Sequence, residues 1–221
     1  MATLEQIRNL VARKSKDADF TSLSAPLVDA EINRSIRFYQ NQQFWFNESL
    51  EVITLTADNN VVPSIPADVI TELQVNGLTL IDADQKIDLQ KMATNLFIGR
   101  NNNQTGRPYA YTFRNGQYLL LPTPQQAYTL EFRWLKKYSD LVAGADNNDF
   151  TNNAEDLIML HTLKNIYAED KEDSERSAFY QSLEELEFKA LQKRNDQRLS
   201  TGELSINTIL TIGVQNGFSS R

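Results

Sequence analysis

The side chains able to do acid–base or metal chemistry are few and poorly grouped. The 221-residue chain has no cysteine and one histidine, His161. That composition excludes a thiolate nucleophile, a disulfide framework, a Cys-based zinc or iron–sulfur site and a histidine metal cluster. His161 sits among Leu157, Leu160 and Leu163 at helical spacing, which makes it a core imidazole rather than a ligand. Two acidic stretches, DNNDFTNNAEDL and EDKEDSE, have the composition of calcium loops. The first puts Phe150 where a ligand oxygen belongs, and neither has the glycine that an EF-hand turn requires. Both read as solvated loops and helix caps. Carboxylate pairs of the glycosidase kind occur throughout a chain with 29 acidic residues, so closeness in sequence selects none of them. GxSxG, Walker A and dinucleotide fingerprints are absent. The reading is of a protein with no catalytic residue, no metal and no cofactor.

One stretch has the chemistry of base stacking. RPYAYTF carries Tyr109, Tyr111 and Phe113 at period two, as in the aromatic strand of an RNA-recognition motif. Pro108 stands where that motif needs glycine, and a formal charge of −7 opposes a phosphate-gripping surface. Alternating rings beside an Asn-Gly turn fit the inner face of a sheet better. The start MATLEQIRNL lacks the layout of a signal peptide, and no apolar run approaches the roughly 20 residues of a membrane helix, so the expectation is a soluble product with no membrane partner.

The elements that would position these residues change period along the chain. Thr3 and Gln6 form a capping-box pair, and Leu4, Ile7, Val11 and Lys14 follow at helical spacing. Ser24 and Pro26 open a second helix that runs through INRSIRFYQNQQFWFNE. On it Val28, Ile32, Tyr39 and Phe46 make one stripe, and Phe38 and Trp45 make another. From Leu50 to Tyr138 the period is two, with hairpin turns expected at Asn76-Gly77 and Asn115-Gly116. Tyr128, Phe132 and Trp134 should face the interior of this β region, and DLQKMATNLF should add a helix with Leu89, Met92 and Leu96 in step. Asn153 is placed to cap a third long helix, the most apolar and hence the central one. A fourth, half-exposed helix carries Phe179, Leu183, Leu186 and Ala190 on one stripe.

The chain then alternates once more. Leu204, Ile206, Leu210, Ile212, Val214 and Phe218 all fall at even positions, which suits an extended strand with a distant partner. Such an arm is on the order of 45 Å long, about as long as a body of this size is wide, so it can reach another subunit. The fold class is therefore α+β: an antiparallel helical bundle with an inserted antiparallel β domain and an extended C-terminal arm. The divisions are residues 1–49 (helical), 50–140 (β-rich insertion), 141–198 (helical hairpin) and 199–221 (arm).

In order, INRSIRFYQNQQFWFNE, EVITLT, IPADVITELQVNG, GRPYAYTFRNGQYLLLPTPQQAYTLEFRW and the helical stretch from EDLIML to FKAL resemble the head-to-tail connector adaptors of tailed bacteriophages. The resemblance implies a structural virion protein at the head–tail interface, made in the bacterial host cytoplasm. It implies a ring, commonly dodecameric, beneath the portal protein. Its partners would be that portal, neighbouring adaptor subunits and a tail or nozzle protein, with double-stranded DNA passing through without specific binding. It transfers no active-site residues. A helix apolar on two faces suits a ring subunit, with Phe38 and Trp45 either as its inter-subunit face or packed beneath the β insertion, and the even-numbered arm residues as its portal or neighbour contact. The competing readings are a virion-associated cell-wall hydrolase using an acid of the β insertion, and a sugar- or RNA-binding β domain using Tyr109, Tyr111 and Phe113.

Overall fold

A computed structural model describes residues 2–17, 23–83, 85–100 and 104–199. Helices α1 (Leu4–Lys14) and α2 (Ala25–Tyr39) come first, followed by ten strands from Glu48 to Lys136 that are interrupted by α3 (Thr94–Arg100). Then come α4 (Asp149–Asn153), α5 (Glu155–Asn165), a π-helical turn over Ile166–Asp170 and α6 (Ser174–Leu199). The class is α+β with mostly antiparallel sheets.

Thr3 and Gln6 cap α1 reciprocally, and Ser24 caps α2 with Pro26 in its first turn, as their residue types dictate. Helix α2 stops at Tyr39, however, short of the expected Phe46. Asn47 is the reason. Its side-chain oxygen accepts from Phe44 N–H at 2.9 Å, and its amide donates to the carbonyls of Gln40 (3.3 Å) and Gln42 (2.7 Å). A local amide thus replaces the helical bonds with a turn, and Trp45 is not on the helix that bears Phe38.

The β region begins with β1 (Glu48–Leu55), β2 (Val69–Glu72), β3 (Leu78–Asp82), β4 (Gln85–Asp88) and β5 (Gln90–Lys91). After α3 come β6 (Thr105–Gly106), β7 (Ala110–Arg114), β8 (Gln117–Leu121), β9 (Thr123–Pro124) and β10 (Tyr128–Lys136). The main sheet has the order β1-β10-β3-β4, with β2 also on β10; a second runs β5-β7-β8, and β6 pairs with β9. Two short pairs, β5–β7 and β6–β9, are parallel. Asn115-Gly116 makes the expected two-residue hairpin, with both φ angles positive.

Asn76-Gly77 does not make a hairpin. β2 and β3 lie along the same side of β10, and residues 73–77 loop out between them. Leu73 N–H donates to Arg133 O at 3.0 Å, and Arg133 N–H donates to Gly77 O at 2.7 Å, so one residue of β10 closes the loop from both ends. A Cβ on Gly77 would stand 2.3 Å from Leu73 O. Asn-Gly marks the positive φ of Asn76 correctly, yet the dipeptide does not dictate which strand the chain joins next.

Two further expectations are corrected. Leu89 is buried beside the sheet and α3 starts only at Thr94, where Phe97 rather than Leu96 is buried. Asn148, not Asn153, is the cap at the third helical stretch. It accepts from Phe150 and Thr151 N–H and starts α4, after which Ala154 breaks the chain direction and α5 begins without a side-chain cap.

Helix α5 packs against α1, α2 and α6, as its apolarity required. Leu157, Ile158, Leu163 and Ile166 meet Leu4, Ile7, Val28, Ile32 and Phe44 in one hydrophobic cluster. The second cluster joins the sheets: Leu55, Leu80, Tyr118, Leu120, Leu130, Phe132 and Trp134. Tyr128, Phe132 and Trp134 are all buried there, on the row that alternation assigns them. Two polar clamps tie α2 and its C-cap to the segment that follows β10. Asn33 bonds both ways to Leu141, through Nδ2 to O (2.9 Å) and Oδ1 to N (2.8 Å), and Gln40 Oε1 accepts from Tyr138 N–H.

Candidate functional site

The most concentrated chemistry lies where α2, α5 and α6 meet. Glu184 of α6 is buried; His161 Nδ1 lies 2.6 Å from its Oε1, Lys164 Nζ lies 2.9 Å from its Oε2, and Tyr39 Oη donates to it. Burial pushes this carboxyl up, but the hydrogen bonds from His161, Tyr39 and Lys164 outweigh that and hold it at about 2, below its ordinary 4.5. Burial and the same anion raise the Tyr39 phenol. The group is a charged clamp between three helices. His161 serves this clamp, in keeping with a structural imidazole.

Above it lies an apolar groove of about 270 Å³, lined by Phe38, Tyr39, Lys164, Gln181, Glu185 and Phe188 among others. Phe38 stacks on the His161 ring at 4.6 Å while leaving 56% of its surface exposed. Trp45 is half-buried further along α6, where Asn195 Oδ1 accepts its main-chain N–H at 2.7 Å and Arg198 lies 4.5 Å over its ring. The structure therefore leaves Phe38 open and covers much of Trp45.

Helix α6 is half-exposed, as its pattern implies, but the line it buries is not its apolar stripe. Its inward line is Tyr180, Glu184, Phe188, Leu191 and Asn195. The apolar stripe points out instead: Phe179 is 57% and Leu186 64% exposed, with Ala190 exposed beside them. At 100° per residue this stripe and the groove-lining Gln181, Glu185 and Phe188 fall on roughly opposite flanks of α6.

In the β region Glu72 plays the part that Glu184 plays among the helices. It is buried, receives Tyr118 Oη at 2.8 Å and pairs with Lys91. Burial raises its pKa, but the bonds from Lys91 and Tyr118 more than offset that, so it stays below the usual range. Such an anion is poorly suited to act as a general acid. Of the three rings considered for stacking, Tyr111 is buried and only Tyr109 and Phe113 are half-exposed, so they form no continuous platform. Among the described residues no cluster of three or more His, Asp or Glu is placed to hold a metal, and no helix is long and apolar enough to cross a membrane.

The arm residues Leu204, Ile206, Leu210, Ile212, Val214 and Phe218 lie outside the described residues. The family model for SU10 adaptor protein matches residues 2–205, nearly the whole chain. The chain belongs to the SU10 adaptor protein family. This agrees with the head-to-tail adaptor resemblance of its sequence, and it makes the chain a structural phage adaptor and a virion component; the family is one of structural proteins rather than enzymes. No curated protein matches the chain. For an adaptor the informative features are surfaces, and α6 presents two different ones. The sequence contains the residues of both, but its periodicity does not say which flank of α6 is buried.

Proposed function

We propose that this adaptor forms a ring beneath the portal, extends the DNA channel and docks the tail, as an antiparallel helical bundle with a β insertion between its second and third long helices. The observation that carries the ring is the pair of unlike faces on opposite flanks of α6. A contact between two different patches is heterologous and closes into a ring when the rotation allows, whereas a self-complementary patch gives a dimer. The neighbour's Phe179 and Leu186 fit the groove beside Phe38, and the exposed part of Trp45 lies at the far end of that face. The charge of −7 suits a channel that lets phosphates slide rather than gripping them.

The even-numbered apolar residues from Leu204 to Phe218 supply the contact to the portal or to an adjacent adaptor. Ordering a flexible backbone costs about 1–2 kcal/mol per residue, so one arm binds weakly; repetition around a ring raises the effective concentration. The adaptor is accordingly monomeric when free and assembles on the portal. Co-sedimentation of the purified chain with the portal protein of its own phage tests the reading. Stable co-migration is expected. Portals that sediment alone, together with clearing of cell-wall substrate by the purified chain, would favour the hydrolase instead.

A further inference from the structure

The end strands β1 and β4 of the main sheet differ in character, and β2, four residues long and paired with β10 alone among the described residues, is a further short edge. β4 is four residues long, and Lys86 lies on it, an arrangement that discourages pairing with another strand. β1 is eight residues long, and among the described residues it pairs only with β10. Which of its backbone groups are free follows from register. Arg133 turns its N–H and C=O toward the β2–β3 side, while Lys136 N–H turns toward Asn47, so Phe132 and Trp134 face β1. Their partners Glu51 and Ser49 are therefore bonded to β10, and Leu50, Val52 and Thr54 point their amides and carbonyls outward. The side chains of Leu50 and Val52, on one face of this open edge, are 52% and 60% exposed.

We propose that this edge is the berth of the chain's own C-terminal segment, with part of the stretch from Leu204 to Phe218 lying along β1 of the same subunit as an added parallel strand. Three observations select this occupant. The segment from Leu204 to Phe218 carries no charge and largely alternates, and in this placement its even-numbered side chains sit beside exposed Leu50 and Val52 while Ser205, Asn207, Ile209 and Thr211 fall on the face of Glu51, Ile53 and Leu55. Helix α6 delivers it to the start of β1: Asn195 holds the main chain of Trp45 and Gln43, and Gln43 Nε2 reaches Glu48 Oε1 at 2.8 Å. The tether from Leu199 to Leu204 is short, which gives a local concentration that a second copy in dilute solution does not match. The berth stores the arm until assembly and covers an edge that otherwise invites aggregation.

The absence of native cysteine makes the test direct. Val52→Cys is combined, in the full-length protein, with one cysteine at each position from Ile206 to Gly213, and disulfide formation is followed under mild oxidation at micromolar protein. Intramolecular bonds should form at alternate positions, about tenfold faster than at their neighbours, because only one parity faces Val52 in a paired strand. Equal rates at both parities would mark a loose tether, and disulfide-linked dimers would mark a neighbour's arm; either overturns the proposal. Hydrogen exchange on the unmodified chain is an independent readout, since Leu50, Val52 and Thr54 amides should be protected along with the inward Ile53 amide. Exchange of those three at unprotected rates would contradict the berth. Neither experiment involves the portal, so failure here leaves the adaptor reading standing.

Discussion

The helical region and the sheet region each bury a glutamate that is held by a tyrosine hydroxyl and a lysine: Glu184 by Tyr39 and Lys164, Glu72 by Tyr118 and Lys91. They differ in what surrounds the anion. Glu72 closes a seam between strands whose apolar rows are already turned inward. Glu184 takes a place on the buried face of α6 and displaces the apolar stripe of that helix to the outside. In a strand the two faces are fixed by parity, so on β10 the row of Tyr128, Leu130, Phe132 and Trp134 is both apolar and buried. On a helix the buried face is set by whichever side chains make the best-satisfied contacts, and a charged clamp can win it. The apolar residues left outside are then available for another subunit.

The largest effect is expected in the sheet. Trp134→Ala should cost about 3–5 kcal/mol in chemical denaturation, because the ring stacks on Phe132 in the closed core. Trp134→Phe should cost much less, since the indole Nε1 has no hydrogen-bond partner to lose. A loss below about 1 kcal/mol for the alanine variant would put that ring at the surface.

Next is the clamp. Glu184→Gln should destabilise by about 2–3 kcal/mol, the scale of hydrogen bonds to a buried charge. Its folded pKa of about 2 lies below the ordinary 4.5, so its contribution is complete above pH 4.5 and is lost as pH falls toward 2. Thermal unfolding between pH 5 and pH 2.5 should therefore show a steep loss in the parent and a shallower one in Glu184→Gln. Equal slopes would remove Glu184 from the account.

Asn47→Ala isolates the amide that ends α2. It removes one accepted and two donated bonds to the backbone, and a cost of about 1–2 kcal/mol is expected. The smallest effect belongs to the outer stripe. Phe179→Ser and Leu186→Ser should each leave the unfolding free energy of the free subunit within about 0.5 kcal/mol of the parent, yet weaken co-sedimentation with the portal. A large loss of stability would return the stripe to the core.

These contrasts also explain what the sequence made legible. The capping box of Thr3 and Gln6, the Asn115-Gly116 hairpin and the inward row of β10 depend on near neighbours and were readable. The end of α2, the loop between β2 and β3 and the inner face of α6 depend on partners outside the local pattern: Asn47 competing for the helix, Arg133 bonding both ends of the loop, and His161 with Lys164 holding Glu184. The residues of the candidate surfaces were visible one by one. Their division between opposite flanks of α6 was not, because it follows from the clamp.

The central claim is that this adaptor adds a ring to the portal through unlike faces of α6. Electron microscopy of portal particles mixed with excess full-length adaptor measures it. The account predicts an additional ring at one end of the portal, with the Phe179–Leu186 stripe of each subunit against the Phe38 groove of the next. Portals that stay bare at saturating adaptor, or a ring in which both flanks of α6 face solvent, would contradict it.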